Sequence, residues 1–205
     1  MATRRAHVAT NAVLHDCIAF LKSMPFDLVI VGSGDPSLGA WHPDENRDSR
    51  QLLGDWAAKV KAAGIHAITG DVIGDGRCFT SESYCEYWNY GDLHFWYAAG
   101  PSGLAIEENA YRILIRPGSK IGDPAVLRIS PETSYITILN DTRTVAAGGA
   151  STADSVPCNT EGNTRRFVGT IALDKKEIRE RGSVWDGARY AACLLAEELA
   201  RQGVR

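Results

Sequence analysis

The spacing of apolar positions divides this chain into two halves. After Thr10, the residues Val13, Cys17, Phe20 and Leu21 recur at helical spacing, and Met24-Pro25 closes that helix because proline disfavours helical geometry in the residue before it. Asp27-Leu28-Val29-Ile30-Val31 follows as a short β-branched run with no polar break, the pattern of a strand buried on both faces. A polar loop, Gly32 to Arg47, leads to a second helix capped by Asp48 or Ser49, with Leu53, Trp56, Ala57 and Val60 inward and Gly64 just past its end. Ile65 to Thr69 reads as the next strand, so Asp27 to Thr69 has the size of a βαβ crossover with parallel strands.

Beyond residue 75 the period shortens. Leu93–Ala98, Tyr111–Arg116, Ala125–Ile129, Tyr135–Leu139 and Arg166–Leu173 read as short strands separated by turns such as Pro117-Gly118-Ser119. Ala146 to Thr164, rich in Gly, Ser, Thr, Ala and Asn, reads as a loop. A last helix from about Ser183 to Gln202 aligns Val184, Ala188, Ala192, Leu195 and Leu199, and Gly203 ends it. The expected architecture is a single α/β domain over residues 1–205. It has three layers and a mixed sheet, with an N-terminal βαβ unit, then short antiparallel strands and a C-terminal helix.

Composition narrows the class. An apolar content of 44% with 23% charged residues excludes a mainly disordered chain, and a net charge of −3 argues against a dedicated nucleic-acid binder. Apolar runs fall far short of the ~20 residues that a spanning helix needs, so no membrane partner is expected. Residues 1–10 hold no apolar signal-like stretch, and the five cysteines show no CxxC pair, which suits reduced thiols and a cytoplasmic setting.

Three constellations could carry chemistry. Asp35, Asp71 and Asp75 each follow an expected strand end, as does Asn140-Asp141. Carboxylates converging on one rim could hold a divalent metal ion or orient a water, with His42 as a base or further ligand. Asp and Asn are also ordinary turn residues, which is the plainer account of each. Second, Gly74-Asp75-Gly76-Arg77-Cys78-Phe79 locally resembles the Asp-Gly-x-Cys segment of the ovarian-tumour cysteine proteases. In that family the turn delivers a nucleophilic cysteine to a helix N-terminus. The resemblance spans about six residues. That family's catalytic histidine comes late, whereas here the histidines are His7, His15, His42, His66 and His94, so the triad does not carry over and Cys78 would need His42, His66 or His94 as its base by another topology. Third, aromatic residues crowd into 84–97, where Trp88, Tyr90 and Trp96 could wall a substrate pocket, with Asp141, or form a partner interface.

Gly32-Ser33-Gly34 lacks the remaining marks of a dinucleotide or P-loop motif, Gly-x-Ser-x-Gly does not occur, and Glu107-Glu108 reads as a solvated turn. The leading expectation is a small hydrolase acting on a small-molecule or peptide substrate at the carboxyl rim of the sheet. His42, Asp75 and Cys78 are its catalytic candidates and Asp35, Asp71 and Asp75 its metal candidates. The rivals are an interaction module built on the aromatic segment and a Cys78-dependent hydrolase.

Overall fold

A computed structural model describes residues 4–9, 26–39, 49–79, 84, 86–156 and 162–205. The first helix expected after Thr10, the cap at Asp48 and residues 40–47 of the 32–47 loop lie outside the described residues, as does His42. The described chain is mixed α/β with two helices and three three-stranded sheets. It divides into two compact units where length suggested one domain: residues 1–83, 101–109 and 186–205 form the first, and 84–100 with 110–185 the second. The chain returns twice to the first unit, and no composition shift marks either return.

In the first unit, β1 (Arg4–Ala9), β2 (Phe26–Val31) and β3 (Val72–Asp75) form a parallel sheet with β2 in the middle. Leu28, Val29 and Ile30 are all buried, as expected for a strand covered on both faces. α1 (Ser49–Ala62) buries Leu53, Ala57 and Val60 at i, i+4 and i+7, and Gly64 at φ 78° closes it. Trp56 is half-buried.

The expected strand at Ile65–Thr69 is displaced to Val72–Asp75. The Ile65–Thr69 stretch is claimed by other partners. Arg205 exchanges backbone hydrogen bonds with His66 and Ile68, and the Thr69 hydroxyl accepts from the Phe26 amide. α2 (Gly187–Arg201) starts four residues later than expected, because Ser183 ends a strand and Asp186 caps the helix by accepting from the Arg189 amide at 2.9 Å. Gly203, at φ 83°, lies just past it as expected.

In the second unit, β4 (Ala110–Arg116) runs between β5 (Val126–Ser130) and β9 (Ile178–Ser183), antiparallel to both. β6 (Thr137–Val145) pairs parallel with β8 (Thr164–Ala172), and β7 (Asp154–Val156) pairs antiparallel on the other side of β8. The sequence pattern did not show β7 or β9. The first is three residues inside a small-residue loop, and the second, Ile-Arg-Glu-Arg-Gly-Ser, carries almost no apolar alternation.

Leu93–Ala98 is not a strand. Short 3-10 turns cover Tyr90–Asp92 and Trp96–Ala98, the Asn89 side chain accepts from the Gly91 amide at 2.9 Å, and Phe95 makes only an isolated bridge to Gly182. Local side-chain capping here competes with the sheet ladder.

Candidate functional site

The carboxyl ends of β2 and β3 carry the loops first singled out. The Gly32 amide donates to the Asp75 carbonyl at 2.8 Å, and the Gly34 amide donates to the Gly103 carbonyl at 2.8 Å. Asp35 forms a bridge with Leu104. The glycines serve close backbone approach. A Cβ on Gly32 would collide with the Gly103 carbonyl, and one on Gly103 would collide with the Cys78 sulfur and the Gly76 carbonyl. This run of Gly and Asp therefore knits three segments together.

The rim brings together Asp35, Asp75 and the Cys78 loop, but each acid is occupied by its own turn. Asp35 Oδ1 accepts from the Ser37 amide at 2.9 Å and its hydroxyl at 2.6 Å, and these bonds hold the carboxyl below its usual range. Asp75 accepts from Arg77 Nε at 2.8 Å and from its terminal nitrogen at 2.6 Å, which raises the guanidinium pKa further. Asp71 does not join them. It precedes β3 while Asp75 ends it, so the two lie at opposite ends of one short strand, about 13 Å apart. Among the described residues, no group of three or more His, Cys, Asp or Glu could hold a metal ion. Cys78 is a free, exposed thiol.

Asp141 lies inside β6 in the second unit and pairs with Arg166 at 2.6 Å, where the sequence suggested a position past a strand end. Trp88, Tyr90 and Trp96 are also in the second unit and are 39%, 57% and 46% exposed. Tyr84 packs against both Trp88 and Trp185, and Trp96 lies beneath Arg181, 4.7 Å from ring centroid to guanidinium carbon.

Glu107 is buried, where a solvated turn was expected. Its carboxylate accepts from the Ser49 hydroxyl at 2.6 Å, and its amide donates to the Leu38 carbonyl. Glu107, Glu108 and Asn109 all adopt positive φ (54°, 59° and 53°), a run of strained residues that no glycine announces.

The second unit also holds a buried polar group that the sequence did not reveal. His94, Tyr111 and Arg165 are 8%, 1% and 8% exposed. Burial pushes the His94 imidazole down and the Tyr111 phenol up to about 12, with Asp154 and Arg165 the nearby charges. Arg165 donates to the Ser183 carbonyl at 2.9 Å and to the carbonyls of Gly162 and Thr164.

The fold thus defines a mixed α/β protein of two units, with a glycine-packed rim on the first and exposed aromatic residues on the second. A family model described as D-Ala-D-Ala carboxypeptidase 3 (S13) matches residues 13–205, and the chain belongs to that family. It is similar to a D-alanyl-D-alanine carboxypeptidase of Actinomadura sp. (strain R39), 29% identical over 185 residues that cover 87% of this chain and 32% of that protein. Among solved structures, it resembles penicillin binding protein 4 (dacB) from Haemophilus influenzae, with a TM-score of 0.66, 20% identity, and coverage of 87% of this chain and 37% of that one. The same protein complexed with a novel β-lactam matches with a TM-score of 0.56, 18% identity, and coverage of 88% and 35%. These two likenesses are of fold. The chain spans about a third of the length of the relatives it matches. The hydrolase class expected from the sequence is the class of this peptidase family.

Penicillin-binding proteins place their serine chemistry on Ser-x-x-Lys, Ser-Asp-Asn and Lys-Thr-Gly. None of these three patterns occurs in the 205 residues. No helix among the described residues is long and apolar enough to cross a membrane.

Proposed function

We propose that this chain serves a D-Ala-D-Ala carboxypeptidase, as a segment that supports hydrolysis of peptides ending in D-Ala-D-Ala without carrying the nucleophile. The family match across residues 13–205 carries this reading. On this reading the acylated serine lies on residues other than these, in keeping with the lack of Ser-x-x-Lys, Ser-Asp-Asn and Lys-Thr-Gly patterns here. On this reading the substrate is the peptide of a cell-wall polymer, so the setting is extracytoplasmic, unlike the cytoplasm expected from the cysteines. Neither a metal at Asp35 and Asp75 nor a Cys78 nucleophile has a part in the reaction. Asp35 and Asp75 shape turns, and Cys78 packs beside Gly103.

The test is D-alanine release from a D-Ala-D-Ala peptide by the complete gene product, with mass mapping of the adduct formed by a labelled β-lactam. Release blocked by the β-lactam and indifferent to chelator and thiol alkylation is expected, with the adduct outside these residues. Absence of release would overturn the carboxypeptidase reading. An adduct on Cys78 or on any serine of this sequence would overturn the division of labour.

A further inference from the structure

The stretch from Tyr90 to Ala98 lies on the second unit with most of its bulk outward. Tyr90, Trp96 and Tyr97 are exposed, Leu93 and Phe95 are half-buried, and the buried side chains are those of His94 and Ala98. Such an anchor position is ordinarily filled by an apolar residue. Here the larger anchor is an imidazole, 8% exposed, packed against Phe95 with ring centroids 3.9 Å apart.

Much of the hydrogen bonding of this stretch is internal. The amides of Asp92, Leu93, Phe95 and Ala98 donate to carbonyls three residues back, and the Tyr97 hydroxyl donates to Asp92 at 3.1 Å. Its tie to the sheet is concentrated at the end of β9. The Ser183 amide donates to the His94 carbonyl at 3.1 Å, the Ser183 hydroxyl donates to the Leu93 carbonyl, and Phe95 forms its bridge with Gly182. A locally closed segment tied at a few neighbouring points can open without the rest of its unit.

The polar groups around His94 come from several elements. Arg165 of β8 donates to the Ser183 carbonyl at 2.9 Å, so its guanidinium is fixed on the same residue that holds the turn. Asp154 and the Ser155 backbone of β7 approach the ring, as does Asp92 from the turn itself. Tyr111 of β4 shares Arg165 and Asp154 as neighbours, and Glu180 of β9 lies near Asp154. Neither ring nitrogen completes a hydrogen bond with any described residue. A neutral imidazole bears this at modest cost. A buried imidazolium, with two donors and a charge like that of Arg165, bears it badly. The attraction of Asp154 and Asp92 offsets part of that cost, and burial outweighs it.

We propose that His94 is a proton-operated latch: neutral, it holds the Tyr90–Ala98 turn against β9, and protonated, it releases the turn and bares the Gly182–Ser183 end of that strand. Water solvates the imidazolium in the open form, so acid favours opening as pH falls below ~6.5. Opening frees the Ser183 amide and hydroxyl and parts Trp96 from Arg181. The latch rests on the second unit alone and stands whether or not the carboxypeptidase reading holds.

The experiment is amide hydrogen exchange of the full chain, read as protection factors from about pH 7.5 to about pH 5, the range in which an ordinary histidine titrates. NMR follows the His94 imidazole over the same series. Protection of Leu93–Ala98 and of Ser183 is expected to fall about threefold or more on acidification, in step with the imidazole, while Tyr111–Ile115 keeps its protection. His94→Gln gains no proton and should hold the segment at constant protection. Ser183→Ala should loosen the segment at every pH and leave the acid response in place.

Protection that does not change across the series, or that changes out of step with His94, would overturn the latch. A wild-type acid response in His94→Gln would do the same. Simultaneous loss over Tyr111–Ile115 also counts against it, because the whole unit would then be unfolding. If His94→Gln does not fold, the match between the two wild-type curves decides.

Discussion

The two units bury their central strands in different ways. In the first, β2 has parallel neighbours on each side, and Leu28, Val29 and Ile30 are enclosed whichever face they point to. In the second, β4 has antiparallel neighbours and buries every other residue, leaving Arg112, Leu114 and Arg116 on the more open face, across from Arg128 of β5 and Arg179 and Arg181 of β9. A strand covered on both faces is constrained at every residue. A strand covered on one face has alternate positions released from packing, and a surface for partners can evolve there without disturbing the core. The glycine-rich rim belongs to the constrained kind, and the arginine face to the released kind.

That contrast can be broken by mutation. The largest effect is expected at Leu28, which has no exposed surface. Leu28→Ala should cost about 3 kcal/mol by urea unfolding, and a loss below half of that would mean the first unit is looser than its burial implies. Gly74→Ala comes next. The added methyl group would collide with the Ala188 carbonyl at the start of α2, and a cost of about 2 kcal/mol is expected from a tightly packed contact. Removing the helix cap with Asp186→Ala should cost about 1 kcal/mol, read as a drop in helix content and melting midpoint.

A pH titration sharpens the comparison within the second unit. Burial lowers the His94 pKa in the folded state, with Arg165 acting in the same direction and Asp154 and Asp92 opposing. The unfolded chain therefore binds a proton first. The contribution from neutral His94 is fully present above pH ~6.5 and declines as pH falls below that value towards the lower folded pKa. His94→Gln should flatten this slope in a stability-against-pH series, and an unchanged slope would exclude His94 as its source. The smallest effect belongs to the arginine face, where Arg128→Ser should alter stability by less than about 0.5 kcal/mol. A larger loss would show that the face is structural.

Much of the first unit was legible in the chain. The Leu28–Val31 run, the Leu53/Ala57/Val60 stripe and Gly64 each state their role locally, through burial pattern and a positive-φ turn. The site was far less legible. Asp71 and Asp75 look equivalent in sequence, yet a strand displaced by a few residues sends them to opposite ends of β3. Glu107 looked like a surface acid because nothing nearby reveals that Ser49 would receive it. Arg112 and Arg128 stand singly along the chain, and Arg181 belongs to a stretch of mixed charge, Lys175 to Arg181, that does not point to them. Only the register of β4 with β5 and β9 gathers them on one face.

Elements whose cause is local were thus determined by the sequence itself: the mixed α/β class, the buried central strand, and the helices with their terminal glycines. Positions set by partners far along the chain were decided by tertiary structure alone. These include the division into two units, the claim of Arg205 on the Ile65–Thr69 stretch, and the gathering of five arginines on one sheet face. The physical reason is the range of the forces involved. Hydrophobic periodicity and backbone preference act over a few residues and can be read in order. Strand register and close glycine contacts join residues dozens of positions apart, and they exist only once the chain has closed on itself.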